Sequence, residues 1–337
     1  MNIPESPASV AFAEEVVQAY CNGNPHGRDN EALARWQPHR SVLQDWIGRS
    51  VPALRPRECR IDGHRMVFWD IGRHEASPVV LLHGFGASKE NWLPLVPLLA
   101  RRYRLLIPDL PGFGASDFNA GDSYTAKVQV GRLQDWFHAQ GIDRAHFVGS
   151  SMGGALAGLM AARAPEQVSS LTLMNAAGVS GSRRSPFEQA LLQGENPLIP
   201  SSYGDVLRLF RLATQRNRNW IAWLLSPFLF RDMVHREIVN QRLFLDLLNS
   251  GTDPATLIGQ TEERPTLILW GDRDRILDVS CADVLKQLLP HAEQCILPNI
   301  GHLPMLEAPL QTAASLQRFW RSQYSLETAT APMASHS

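Results

Sequence analysis

The sequence predicts an α/β protein: a mostly parallel central sheet flanked by helices and interrupted once by a helical insertion. Three observations carry that expectation. From about residue 57, short β-rich runs alternate with helical stretches, the rhythm of parallel strands joined by crossover helices. Several runs, PVVLLHG and PTLILWG among them, are almost continuously apolar, as strands buried on both faces must be. Residues 179–264 then break the rhythm with helix-like sequence rich in Leu, Arg and aromatics, without a strand pattern.

In chain order, residues 1–56 read as an N-terminal helical extension, because Val10, Phe12, Val16, Val17 and Tyr20 recur at roughly helical spacing. The core is expected over 57–178 and 265–323. Its strands are predicted at 64–72, 78–84, 103–109, 145–150, 169–177, 265–271 and 293–299. Helices are predicted at 90–100, 124–140, 151–163, 280–289 and 309–320. Residues 179–264 form a helical cap inserted between strands, and 324–337 read as a disordered tail.

At 337 residues the chain can bury a sizeable core. A net charge of -1 gives no electrostatic reason to bind polyanions, so nucleic acid is excluded as a partner. Cys21, Cys59, Cys281 and Cys295 are far apart, with no C-x-x-C pair and no His/Cys cluster at metal-ligand spacing, and read as isolated reduced thiols. The N-terminus carries acidic residues where an export signal has a basic segment, so a cytoplasmic location is expected. The most apolar run, WIAWLLSPFLF, covers only Trp220 to Phe230 and contains Pro227, whereas a bilayer span takes about 20 apolar residues.

Chemistry is expected at HFVGSSMGGALAG, residues 146–158, which sets Ser150 beside Ser151. A nucleophile elbow turns sharply from strand to helix and tolerates only small residues two positions before and after its serine. Gly149 and Gly153 flank Ser151 in that way, while Val148 and Met152 flank Ser150. Ser151 is therefore the candidate nucleophile and Ser150 the small residue ending the strand. The competing reading is a glycine-rich turn without chemistry.

A serine hydroxyl needs a base, commonly a histidine oriented by a carboxylate, and the chain order on such a sheet is serine, acid, histidine. ILWGDRDRILD offers Asp272, Asp274 and Asp278 after an apolar strand. Asp274 is the candidate acid because it sits three residues beyond Gly271, out of the tight turn; Asp272 is second, and Asp278 suits a helix cap. LPNIGHLPMLEAP places His302 on a loop after the last strand, whereas His235, His291 and His336 lie in the insertion, before that strand and in the tail. An oxyanion needs backbone donors, and the N-H groups of Phe85, in LLHGFGAS, and of Met152 are expected to supply them. His83 reads as an anchor for that turn.

With these pieces placed, LLHGFGASKENW, YRLLIPDLPGFGASD, VGSSMGG, LILWGDRDRILD and GHLPMLEAP together resemble the α/β-hydrolases, in order and spacing, from about Arg57 to Arg321. Within that family HGFGASKENW, MNAAGVSG, GENPL and WGDRDRILDVS resemble bacterial lipases and phospholipases of the monoacylglycerol-lipase type. The resemblance implies an α/β-hydrolase fold and a serine carboxylesterase or lipase. Members of that group often carry an N-terminal membrane-anchoring helix, from which ALARWQPHRSVLQDWIGRSVPAL departs by being too polar to span. Ser150 stands where Asn is frequent. Where some relatives place the acid one strand earlier, this chain has Asn175, which supports Asp274.

The cap aromatics Phe187, Phe210, Trp220, Trp223, Phe228, Phe230 and Phe244 imply an apolar access channel. The expected substrate is thus an ester with a medium to long acyl group, such as an acylglycerol or phospholipid, cleaved through an acyl-enzyme without metal or organic cofactor. The cap or the N-terminal helices offer a peripheral membrane contact, and no oligomeric state is assigned. Three alternatives stay open: carbon-carbon bond hydrolysis as in aromatic degradation, cofactor-free perhydrolysis, and a catalytically silent lipid-binding module.

Overall fold

The computed structural model describes residues 14–20, 30–37, 48–215, 230–249, 258–259, 261 and 264–330. Trp220, Trp223 and Phe228 of the expected cap lie outside the described residues, as do Val10 and Phe12 of the extension. Eight strands form one sheet in the order β1-β2-β4-β3-β5-β6-β7-β8. They are β1 (Arg57–Ile61), β2 (His64–Ile71), β3 (Pro78–Leu82), β4 (Arg104–Pro108), β5 (Ala145–Ser150), β6 (Val168–Met174), β7 (Thr266–Gly271) and β8 (Glu293–Leu297). β2 pairs antiparallel with β1 and β4, and every pair from β4 to β8 is parallel.

The seven expected strands all form, and β1 is an eighth. Its sequence RECRI lacks the apolar run of a central strand because it is an edge strand with mostly exposed side chains. It pairs with β2 through a two-residue turn, Asp62-Gly63, both in the left-handed region at φ 47° and 76°.

The near-continuous apolar runs are explained by burial on both faces. Along β3, Val80 and Leu82 point into one apolar cluster with Phe147, Leu171 and Trp270, while Val79 and Leu81 point into another with Val148, Met174 and Leu269. Helices α1 (Ala126–Ala139), α2 (Met152–Arg163), α6 (Ser280–Leu288) and α7 (Pro309–Thr330) accompany the strands. The expected helix at 90–100 is instead a 3-10 turn, Lys89–Trp92, and a short helix, Val96–Leu99, because Pro94 interrupts the run. The last helix continues past Trp320 to Thr330, into the stretch expected as tail; extending an existing helix by a residue is far cheaper than nucleating one.

Between β6 and β7 lie α3 (Pro186–Leu192), α4 (Tyr203–Ala213) and α5 (Glu237–Leu248), with no strand among the described residues of 179–264. Their starts are written in the sequence. Ser185 and Glu188 close a reciprocal capping box around Pro186, and the Ser202 hydroxyl accepts from the Asp205 N-H. The extension contributes helical residues 14–20 and the short helix Asn30–Arg35. Among the described residues Cys59, Cys281 and Cys295 are unpaired, and burial pushes the Cys281 thiol up to about 12, which keeps it protonated.

This topology fixes where a site can be. After the β1-β2 hairpin and β3, the chain returns to insert β4 between β2 and β3, then crosses to the other side of β3 to build β5 to β8. Successive loops therefore diverge at the carboxyl ends of β3 and β5, leaving a crevice there.

Candidate active site

Four loops meet at the carboxyl edge: those after β3, β5, β7 and β8, carrying Phe85, Ser151, Asp274 and His302. Ser151 has φ 55° and ψ -122°, a strained conformation for a residue with a Cβ. Its backbone is held from several sides: its N-H donates to Met174 O at 3.0 Å, and its carbonyl accepts from Gly154 and Ala177. It occupies the N-cap position of α2, where a serine commonly caps with its hydroxyl, yet it makes no side-chain cap bond. The hydroxyl is left for other partners.

The flanking glycines are sterically required. A Cβ on Gly149 would lie 2.0 Å from the Gly153 carbonyl oxygen, and one on Gly153 would lie 2.3 Å from that of Leu82. A Cβ on Gly84 would sit 3.1 Å from the Ser151 Cβ, so the loop after β3 lies directly against the serine. Ser150 is fully inside, its hydroxyl without a partner among the described residues.

The Asp274 carboxylate has four donors, which fill its acceptor sites. Oδ1 accepts from the N-H groups of Ile276 at 2.8 Å and Leu277 at 3.0 Å. Oδ2 accepts from Asn175 Nδ2 at 2.6 Å and from His302 Nδ1 at 2.7 Å. An acceptor-only carboxylate requires the imidazole proton on Nδ1, which leaves the Nε2 lone pair free to take a proton. Asp272 lies outside this set, with a long 3.4 Å contact from the Ile300 N-H, and Asp278 caps α6 and pairs with Arg183.

His83 explains the loop after β3. Its Nε2 accepts from the Leu110 N-H at 3.1 Å, so Nδ1 carries the proton and donates to Gly84 O at 2.8 Å. Complete burial lowers its pKa and keeps it neutral. Because a peptide unit is planar and trans, pinning the Gly84 carbonyl turns the Phe85 N-H to the opposite side. Among the described residues neither the Phe85 nor the Met152 N-H has a protein acceptor. Below this loop Asp109 accepts from the Lys89 N-H and from Lys89 Nζ, both at 2.7 Å. Burial opposes the Lys89 charge, but Asp109 and Glu90 outweigh it and hold the ammonium above its ordinary range.

Two contributors escape sequence reading. Asn175, noted there only as unable to be the acid, sits at φ 44° and donates to Asp274. Glu307 is buried behind the histidine loop: Oε1 accepts from Gly301 at 3.1 Å and Leu303 at 3.3 Å, and Oε2 from the Gln215 N-H at 2.7 Å. The His302 N-H itself donates to Ala213 O at the end of α4. Burial raises the Glu307 pKa. The spacing of Glu307 from His302 in GHLPMLE was its one sequence signal. Among the described residues no cluster of three His, Cys, Asp or Glu side chains could hold a metal.

The chain is similar to known proteins along most of its length. The chain is 31% identical over 293 residues to the monoacylglycerol lipase abhd6-B of Xenopus laevis, covering 84% of this chain and 87% of that one. It is 29% identical over 259 residues to Lipase 3 of Moraxella sp. (strain TA144), covering 76% and 81%. Among solved structures, a bacterial membrane phospholipase A superposes with a TM-score of 0.78 at 35% identity, over 84% of this chain and 92% of that one. Residues 79–315 match the Alpha/beta hydrolase family, and the chain belongs to that family.

Proposed function

We propose that this protein is a serine ester hydrolase of the lipase type, acting on medium- to long-chain acyl esters such as acylglycerols or phospholipids. The carrying observation is the Asp274–His302 bond of 2.7 Å, which leaves Nε2 as the free base, on the same sheet edge as an elbow serine that spends no hydroxyl on capping. In this reading His302 Nε2 takes the Ser151 proton as Oγ attacks the ester carbonyl. The N-H groups of Phe85 and Met152 stabilise the oxyanion, and Asp274 stabilises the imidazolium. The imidazolium protonates the leaving alcohol. Water, activated by the same nitrogen, then releases the acid and regenerates Ser151.

The relatives named lipases and phospholipase favour an enzyme over a silent lipid-binding module. The acyl group is read from the apolar surroundings of the site: Phe85, Leu277 and Leu303 pack onto the cluster containing Phe187 and Phe244. No helix among the described residues is long and apolar enough to cross a membrane, and the lipid contact we propose is peripheral, through the cap. Hydrolysis of p-nitrophenyl esters from acetate to palmitate tests the reading. The expected rate peaks at medium or long chains; activity confined to acetate contradicts the acyl assignment, and no hydrolysis at any length contradicts the ester reading.

A further inference from the structure

The described residues of the N-terminal extension lie outside the sheet, and residues 14–20 are built into the apolar ground beside the four loops that carry Phe85, Ser151, Asp274 and His302. Val16 and Tyr20, one helical turn apart on the same face, are each only 1% exposed, while Glu14, Glu15 and Gln18 on the other face are exposed. The buried pair joins Phe187, Leu191 and Phe244 in a single cluster. Leu277, three residues after the acid, Leu303, next to the histidine, and Phe85 of the oxyanion loop pack onto that cluster.

A chain of ring contacts links Phe85 to this helix. Phe85 stands edge-on to Phe244 at 5.4 Å between ring centres, and Phe244 stands edge-on to Tyr20 at 5.2 Å. Beyond Tyr20 the chemistry changes. Tyr20 also lines a cavity of about 270 Å³ whose other walls include Glu195, Asn196, Asp205, Arg208 and Glu237. One ring thus stands between apolar surroundings that suit a hydrocarbon tail and a polar, charged chamber that does not. Tyrosine fits such a boundary, having an apolar body and a polar tip.

We propose that residues 14–20 form a wall of the acyl-binding site and that the Tyr20 ring sets the acyl length the enzyme accepts. This rests on the ester-hydrolase reading above and adds a specificity-determining residue to it. Replacing the ring by a methyl group adds the volume of the ring to the apolar ground beside Phe244, and enlarging the ring takes volume from it.

The experiment is kcat/KM across p-nitrophenyl esters from acetate to palmitate for the full chain, Tyr20→Ala, Tyr20→Trp and Tyr20→Phe. In Tyr20→Ala the optimum moves to longer chains, with the palmitate-to-acetate ratio rising about tenfold. In Tyr20→Trp it moves to shorter chains, with the palmitate-to-acetate ratio falling about tenfold. Tyr20→Phe keeps the wild-type profile. An optimum unmoved in both Tyr20→Ala and Tyr20→Trp overturns the proposal, as does an equal loss at every length, which marks a packing role only. Should Tyr20→Ala fail to fold, the Trp and Phe variants decide the matter. If the wild type hydrolyses none of the esters, the ester reading itself fails, a result distinct from an active enzyme with an unmoved optimum.

Discussion

The contact between Gly153 and the end of β3 gives the sharpest structural prediction. Gly153 lies in the first turn of α2, and a Cβ there would lie 2.3 Å from Leu82 O and 2.6 Å from His83 O. Ordinary contact begins at 3.4 Å, so Gly153→Ala must drive the first turn of α2 and the end of β3 apart by about 1 Å. Both neighbours are backbone carbonyl oxygens and cannot swing aside as a side chain would. The displaced groups are the ones we propose to act together: the Met152 N-H and Ser151 on one side, the Phe85 N-H on the other. A misplacement of about 1 Å in such a constellation lowers the rate about 100-fold, and overpacking of this kind destabilises by about 1–3 kcal/mol. The assay is kcat on p-nitrophenyl butyrate with thermal unfolding followed by circular dichroism. A variant that retains the wild-type rate and melting temperature refutes the claim that this contact sets the oxyanion geometry.

Gly131, in α1, is the matching control: a Cβ there meets nothing within 4 Å, so Gly131→Ala should leave the rate unchanged and stabilise by up to about 1 kcal/mol in urea unfolding. Glu307→Gln keeps one acceptor oxygen for three backbone N-H groups, and leaving a buried donor unpaired should destabilise by about 1–3 kcal/mol. Because burial raises the Glu307 pKa above its ordinary 4.5, its contribution to stability is fully present below that value and is lost as pH rises through the folded-state pKa. The stability advantage of wild type over Glu307→Gln should therefore shrink as pH rises above 4.5; an advantage that grows with pH contradicts the placement of a raised carboxyl there.

The sheet was legible because strands buried on both faces carry few polar residues: β3 has none, β7 only Thr266 at its start, and β5 only His146, bonded to Ser170, and Ser150 at its end. β1 escaped because an edge strand obeys a different one: its charges face water, and its true signal was the Asp62-Gly63 turn, whose paired positive φ angles suit a tight hairpin. Ser151 could be distinguished from Ser150 because the elbow's crowding leaves a mark in flanking glycines. Asn175 left none, since what matters is its left-handed backbone and its reach to a carboxylate 99 residues away. Tyr20 was visible as part of a helical stripe, but only the tertiary fold brings that stripe to Phe244.

We propose that Ser151, and not its neighbour Ser150, attacks the substrate. Reaction of the full chain with a fluorophosphonate, followed by peptide mass spectrometry, tests it most directly, with Ser150→Ala and Ser151→Ala alongside. One adduct is expected, on Ser151, retained in Ser150→Ala and absent in Ser151→Ala together with ester hydrolysis. An adduct on Ser150, or hydrolysis that survives in Ser151→Ala, would contradict it.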